Sequence, residues 1–199
     1  MRKRIYHLLQ LIMAAAVLSL TACNKTGTGS TQASQTTLVY TNDAFTPIAI
    51  TINGVSTTIA VGGSVTYTGS AGSSNSGTAS TSGVTSTNSI VGSIVSWTID
   101  DQFPASGTTT KTLDVDPSYF FLKVNNTSSY DVSGVYVNYG LTAQSFDNIS
   151  FGAGIFNIGY YPAYTNSNVR CMGPNGSYWQ NNVSLSGVSN QSFLFTLTN

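Results

Sequence analysis

The sequence predicts an all-β protein, specifically an antiparallel β-sandwich of short strands. Three observations carry this reading. Apolar residues alternate with polar ones at period two along most of the chain after residue 36. No helical period is sustained beyond the first segment. The later composition has no Glu and is rich in Thr, Ser, Val and Tyr, which favours strand over helix.

The elements follow in order. In "PIAITINGVSTTIAVGGSVTY", Ile48, Ile50 and Ile52 share one face, with Ala49 and Thr51 on the other. Asn53-Gly54 tolerates positive φ and marks a tight turn between two strands. Ile59 and Val61 continue the alternation to Gly62-Gly63, and Val65 and Tyr67 resume it. Residues 69–89 are almost wholly Gly, Ser, Thr, Ala and Asn, which predicts a surface loop, with polar strands exposed on a sheet edge as the alternative. "IVGSIVSWTI" places Val95, Trp97 and Ile99 together, and "TKTLDV" follows. In "YFFLKVN", Phe120, Leu122 and Val124 face inward and Tyr119, Phe121 and Lys123 outward. "VSGVYVNYG" groups Val135, Val137 and Tyr139, with Gly134 breaking the parity as a bulge does. "QSFLFTLTN" groups Phe193, Phe195 and Leu197. Strands about 8–12 residues apart fit a sandwich of immunoglobulin-like or similar topology. A small outer-membrane barrel needs longer apolar faces than these.

The first residues differ in kind. Arg2, Lys3 and Arg4 precede an apolar run from Leu8 to Leu20, the layout of a secretory signal. The run falls short of the about 20 residues that span a bilayer. It ends in Leu20-Thr21-Ala22-Cys23, which resembles the lipobox of bacterial lipoproteins. The resemblance implies lipidation of Cys23, cleavage before it and removal of residues 1–22. Several acyl chains on one cysteine hold a protein durably at a membrane, whereas one holds it marginally. Asn24 follows in place of the aspartate of inner-membrane retention, so an outer-membrane anchor is expected, in either leaflet. Residues 23–36 hold no large apolar group and form a flexible tether, with a reach of about 20 Å.

Removing the signal removes His7, the sole histidine. The remaining acids are Asp43, Asp100, Asp101, Asp114, Asp116, Asp131 and Asp147, and the bases Lys25, Lys111, Lys123 and Arg170. Seven acids against four bases leave a net charge of −3 and no basic patch, so no nucleic-acid partner is expected. Serine and cysteine hydrolases need an imidazole, and zinc sites are built mainly from His and Cys. The chain therefore reads as a non-enzyme with no cofactor and no metal site. Cys171 has no intramolecular disulfide partner once Cys23 is lipidated, and beside Met172 it reads as a buried small hydrophobe. Asp100-Asp101 and Asp114-x-Asp116 lack the D-x-D-x-D-G loop of a calcium site and fit turn caps better.

Residues 37–199 are expected to form a single domain; two small β-domains split near residue 105 are the alternative. "YTNDAFTPIAITINGV" and "KVNNTSSYDVSGVYVNYG" share an order of strand, Asn, polar turn, strand, Asn, Gly. The second segment resembles the opening of small β-sandwich repeats in bacterial envelope proteins. The segment 156–182 concentrates Tyr160, Tyr161, Tyr164, Arg170, Tyr178 and Trp179 between Asn and Gly residues. Aromatic platforms beside amide groups suit sugar binding, and core or strand-edge cover is the competing role. Three functions remain. The first is a lipid-anchored, non-catalytic envelope module that binds a protein or glycan. The second is an adhesin-type assembly subunit that pairs through strand edges. The third is a glycan-processing enzyme working through Asp and Tyr.

Overall fold

The computed structural model describes residues 34–86, 89–138, 142–144, 149–150, 152 and 154–199. Cys23, the expected signal peptide and nearly all of the expected tether lie outside them. Ala33–Asn199 form one compact unit. The fold is all-β.

The strands form two sets with the same pairing. The first set comprises β1 (Gln35–Asn42), β2 (Ile48–Ile52), β3 (Val55–Ile59), β4 (Ser64–Ser70), β5 (Ser74–Thr81), β8 (Ser96–Gln102) and β9 (Thr108–Leu113). It makes sheets in the orders β4-β1-β9 and β3-β2-β5-β8. A small hairpin, β6 (Val84–Ser86) and β7 (Ser89–Val91), sits between β5 and β8 in the chain. The second set comprises β10 (Tyr119–Asn126), β11 (Gly134–Val137), β12 (Thr142–Gln144), β13 (Ile155–Pro162), β14 (Asn168–Met172), β15 (Tyr178–Asn182) and β16 (Ser192–Leu197). Its sheets are β13-β10-β16 and β12-β11-β14-β15, the same plan. Pairing is antiparallel except for β1 with β9 and β10 with β16, which run parallel.

The two sets match residue by residue. Asn42 at the end of β1 stands opposite Leu113, and Asn126 at the end of β10 stands opposite Leu197. Each asparagine is buried and makes the same three hydrogen bonds. The Asn42 Nδ2 donates to the Thr46 and Ile59 carbonyls, both at 3.0 Å, and Oδ1 accepts from the Ala44 N–H at 2.8 Å. The Asn126 Nδ2 donates to the Tyr130 carbonyl at 2.8 Å and the Ile149 carbonyl at 3.0 Å, and Oδ1 accepts from the Ser128 N–H at 3.1 Å. Trp97 on β8 donates its indole N–H to the Asp114 carbonyl at 3.0 Å; Trp179 on β15 does the same to Thr198 at 2.8 Å. Each tryptophan thus ties one sheet to the residue following the last strand of the other. The weak echo in the sequence is therefore a full structural repeat, with its seam at residues 114–118.

Each repeat buries its own apolar cluster. Leu38, Tyr40, Ile48, Ile50, Ile52, Ile99 and Leu113 fill the first. Phe120, Leu122, Val124, Val135, Val137, Cys171 and Leu197 belong to the second. Full burial of each large side chain is worth about 1.5–3 kcal/mol, which offsets the ordering entropy without a cross-link. The Asn53-Gly54 turn forms as expected, with φ of 49° and 81°.

Two expectations are corrected. Residues 69–89 are not a loop: apart from 87–88, which lie outside the described residues, they hold the end of β4, all of β5, all of β6 and the first residue of β7. β5 is an interior strand between β2 and β8. Its side chains are small, and Gly77 lies so close to β2 that an added Cβ would stand 1.9 Å from the Thr51 carbonyl oxygen. The second correction concerns Phe121, which period two sends outward from the β10 sheet. It is fully buried, in the cluster of the first repeat. The first repeat covers the outer face of the β13-β10-β16 sheet at Phe121 and Tyr160, while Ser192, Leu194 and Thr196 on β16 stay exposed.

That packing is specific. Phe121 stacks on Phe45 at 5.2 Å between centroids and meets Tyr160 edge-on at 4.9 Å. The Tyr160 hydroxyl accepts the Phe45 N–H at 2.7 Å, and its carbonyl accepts the Ser93 N–H at 2.6 Å. The Lys123 ammonium lies 4.3 Å from the Phe45 ring centroid, a cation–π contact. Asn190 donates to Asp43 at 2.7 Å and accepts from the Val115 N–H at 2.8 Å. In the first repeat, register puts Thr37 and Thr68 where the second has Phe121 and Tyr160. Counting from the two asparagines puts Ser129 where the first repeat has Phe45.

Candidate functional site

A cleft of about 410 Å³ opens at the seam between the repeats. One wall is the start of β8, with Ile94, Val95, Ser96 and Trp97. The other carries Asp114, Asp116 and Tyr119 from the connecting segment, and Ser189 from the loop before β16. Local folding explains each position. Period two along β8 turns Trp97 to the inner side with Ile99, and the bond to the Asp114 carbonyl locks the indole. Pro117 cannot donate to a sheet ladder, so the chain turns between β9 and β10. There the Asp116 Oδ1 accepts the Ser118 N–H at 2.8 Å, an Asx turn. Those hydrogen bonds from Ser118 lower the Asp116 pKa, so the carboxyl is ionised at neutral pH. The other acidic pair resolves differently. Asp101 accepts from the Tyr40 hydroxyl at 2.9 Å and pairs with Lys111 at 3.0 Å, while Asn75 donates to Tyr40 at 3.0 Å. Asp101 thus joins a network across β1, β5, β8 and β9.

The aromatic segment 156–182 does not form one surface. Tyr160 is buried at the repeat junction and Tyr161 is buried in the second cluster. They are adjacent on β13 and point to opposite faces, both covered at these positions, so neither meets a ligand. Burial raises the Tyr160 pKa to about 12, and burial raises that of Tyr161 as well. Trp179 packs against the second cluster. Tyr164 is exposed on the turn between β13 and β14. Arg170 and Tyr178 do come together on the outer face of the β12-β11-β14-β15 sheet. The Arg170 guanidinium lies 4.4 Å from the Tyr178 ring centroid, and its Nη2 donates to the Gln180 Oε1 at 3.1 Å. Tyr136 stands opposite Arg170 in register and joins that face. The sequence reading missed Tyr136 and the seam residues Trp97 and Tyr119 as site residues. A signal for the seam was available: Trp97 and Trp179 hold equivalent places in the two repeats, and "DVDPSY" lies between the repeats.

Cys171 is fully buried, as its surroundings suggested, and burial raises its thiol pKa from 9.0 to about 12. Tyr40 is likewise raised to about 12, chiefly by burial. A raised pKa in the folded state favours the neutral form there. The stability from these groups is complete below the unfolded-state values, 9.0 for the thiol and 10.0 for tyrosine, and is lost as pH rises towards 12. The expected result is a urea midpoint that falls steeply with pH above about 9, with native Cys171 inert to alkylation until the chain unfolds. Rapid labelling of Cys171 in the native chain would contradict the burial.

No protein-family profile matches the chain, and no curated protein matches it. Among solved structures it is similar to the TIE protein of Bacillus anthracis, at 10% identity and a TM-score of 0.27. That likeness covers 83% of this chain and 33% of the other, so the chain spans about a third of that protein's length. It is also similar to a streptococcal ancillary pilin, at 10% identity and a TM-score of 0.22, over 83% of this chain and 69% of the pilin.

Proposed function

We propose that this protein is a lipid-anchored, non-catalytic interaction module of the bacterial cell envelope. The lipobox supplies the anchor on Cys23, residues 24–36 the tether, and the two packed repeats a rigid body that takes up a glycan or protein partner. The observation that carries the reading is the seam cleft. It is concave, and both repeats build it. Its groups suit recognition: rigid aromatic surface, carboxylates and hydroxyls, with no imidazole or thiol beside them. The low charge of the chain, 7% charged residues, argues against partners held by long-range electrostatics.

Two measurements on the full chain in its bacterial host test this. The unaltered chain is expected in the membrane fraction and the Cys23→Ala variant in the soluble fraction; equal partition of both would remove the anchor. The detergent-solubilised chain is expected to retain an envelope glycan or protein without converting it. Reproducible turnover of any substrate would replace the module reading with the enzymatic one.

A further inference from the structure

We propose that the seam cleft is a binding site for a saccharide that carries no acidic group, of mono- or disaccharide size. This rests on the interaction-module reading and names the ligand class for its site. The cleft volume of about 410 Å³ falls within the roughly 300–1,000 Å³ of small-ligand pockets. Its aromatic side is rigid: the Trp97 N–H is spent on the Asp114 carbonyl, so the indole offers only ring surface. With Val95, Ile94 and the Tyr119 ring, that surface suits the apolar face of a sugar.

The polar side fixes the ligand's hydrogen-bonding character. Ionised carboxylates only accept hydrogen bonds, so the donors must come from the ligand, and sugar hydroxyls supply them. Among the described residues, Lys111, Lys123 and Arg170 all lie outside the cleft lining, so within the described fold an acidic ligand would face Asp114 and Asp116 without a compensating cation.

Comparing the repeats shows that the Asp114 carboxylate is not needed for the fold. The position of Asp114 is held in the second repeat by Thr198, and its carbonyl takes the tryptophan N–H equally well. The backbone does the structural work at that position, so the Asp114 side chain is free for a ligand. No protein donor is bonded to the Asp114 carboxylate among the described residues. Asp116 lines the cleft, with Ser118 as its protein partner.

Isothermal titration of the full-length chain in a sugar-free detergent tests the proposal. The probes are four neutral disaccharides (cellobiose, chitobiose, maltose and lactose) and glucuronic acid. Saturable binding of at least one neutral disaccharide is expected, with glucuronic acid at least tenfold weaker. Asp114→Ala with Asp116→Ala should weaken the neutral ligand at least tenfold in a chain that stays folded, and Asp114→Ala alone should leave the melting temperature unchanged. The Asn pair at those positions should narrow the gap to glucuronic acid. Ser189→Trp, at an exposed position, should block the cleft and abolish binding without touching either carboxylate. The proposal falls if no neutral disaccharide binds, if glucuronic acid binds as well, or if the folded alanine pair and Ser189→Trp bind like the unaltered chain. Envelope capture that survives in those variants would leave the module reading standing and remove this site. Absence of capture by the unaltered chain would remove both.

Discussion

Replacing Asn42 or Asn126 with alanine is expected to destabilise the protein by about 3–5 kcal/mol, with similar losses at the two sites. Each side chain is 1–2% exposed and makes three hydrogen bonds to backbone groups. Truncation removes all three bonds: at Asn126 the Ser128 N–H loses its acceptor, while the Tyr130 and Ile149 carbonyls each keep one other donor, Ser128 Oγ and the Val132 N–H. Each group left unpaired costs about 1–3 kcal/mol, moderated where the backbone can relax. For a folded unit of this size that corresponds to a fall in melting temperature on the order of 10 °C. Urea and thermal unfolding of the two single variants provide the check. A loss under about 1 kcal/mol at either site would contradict the equivalence drawn between the repeats.

Gly77→Ala is expected to cost about 3 kcal/mol or more, or to prevent soluble folding. The added Cβ would stand 1.9 Å from the Thr51 carbonyl oxygen, 2.9 Å from its carbon and 3.1 Å from the Ile52 Cα. All three are backbone atoms of the neighbouring strand, so no rotamer change relieves the contact. β2 and β5 must separate, which breaks the register that places Ile48, Ile50 and Ile52 in the core. Over-packing of a well-ordered core typically costs about 1–3 kcal/mol, and an immovable neighbour puts this site at or beyond the top of that range. Ser76→Ala, on the exposed face one residue away, is the control and should lie within about 0.5 kcal/mol of the unaltered chain. Equal stability of the two variants would show that β5 does not sit against β2 as described.

The strands that were legible in the sequence are those whose inner face is apolar. Ile48, Ile50 and Ile52 announce β2, and Asn53-Gly54 fixes the hairpin to β3. β5 was illegible because its buried positions are Asn75, Ala79 and Thr81. Asn75 earns its place through a bond to the Tyr40 hydroxyl, which no local pattern encodes. Phe121 illustrates a second limit. Alternation tells which face of a strand a residue occupies, but not what later covers that face. The same limit dispersed the aromatic segment, since adjacent Tyr160 and Tyr161 serve different cores. The seam cleft needed the repeat to be recognised first, because its residues lie on segments far apart in the chain.

The aromatic contact between the repeats occurs at a single junction. Its anchors are Phe45 on one side and Phe121 with Tyr160 on the other. At the corresponding outward-facing places stand Thr37 and Thr68 at one end and Ser129 at the other. A further unit arriving in the same mode would find hydroxyls in place of rings. Such polar end faces act as stops in repeat proteins. They withhold the ring contacts through which the two repeats seat, although Lys123, Asn190 and Ser93 also contribute to that junction. Growth of the array by duplication would have to restore rings at those sites before an added unit could seat through the same contacts.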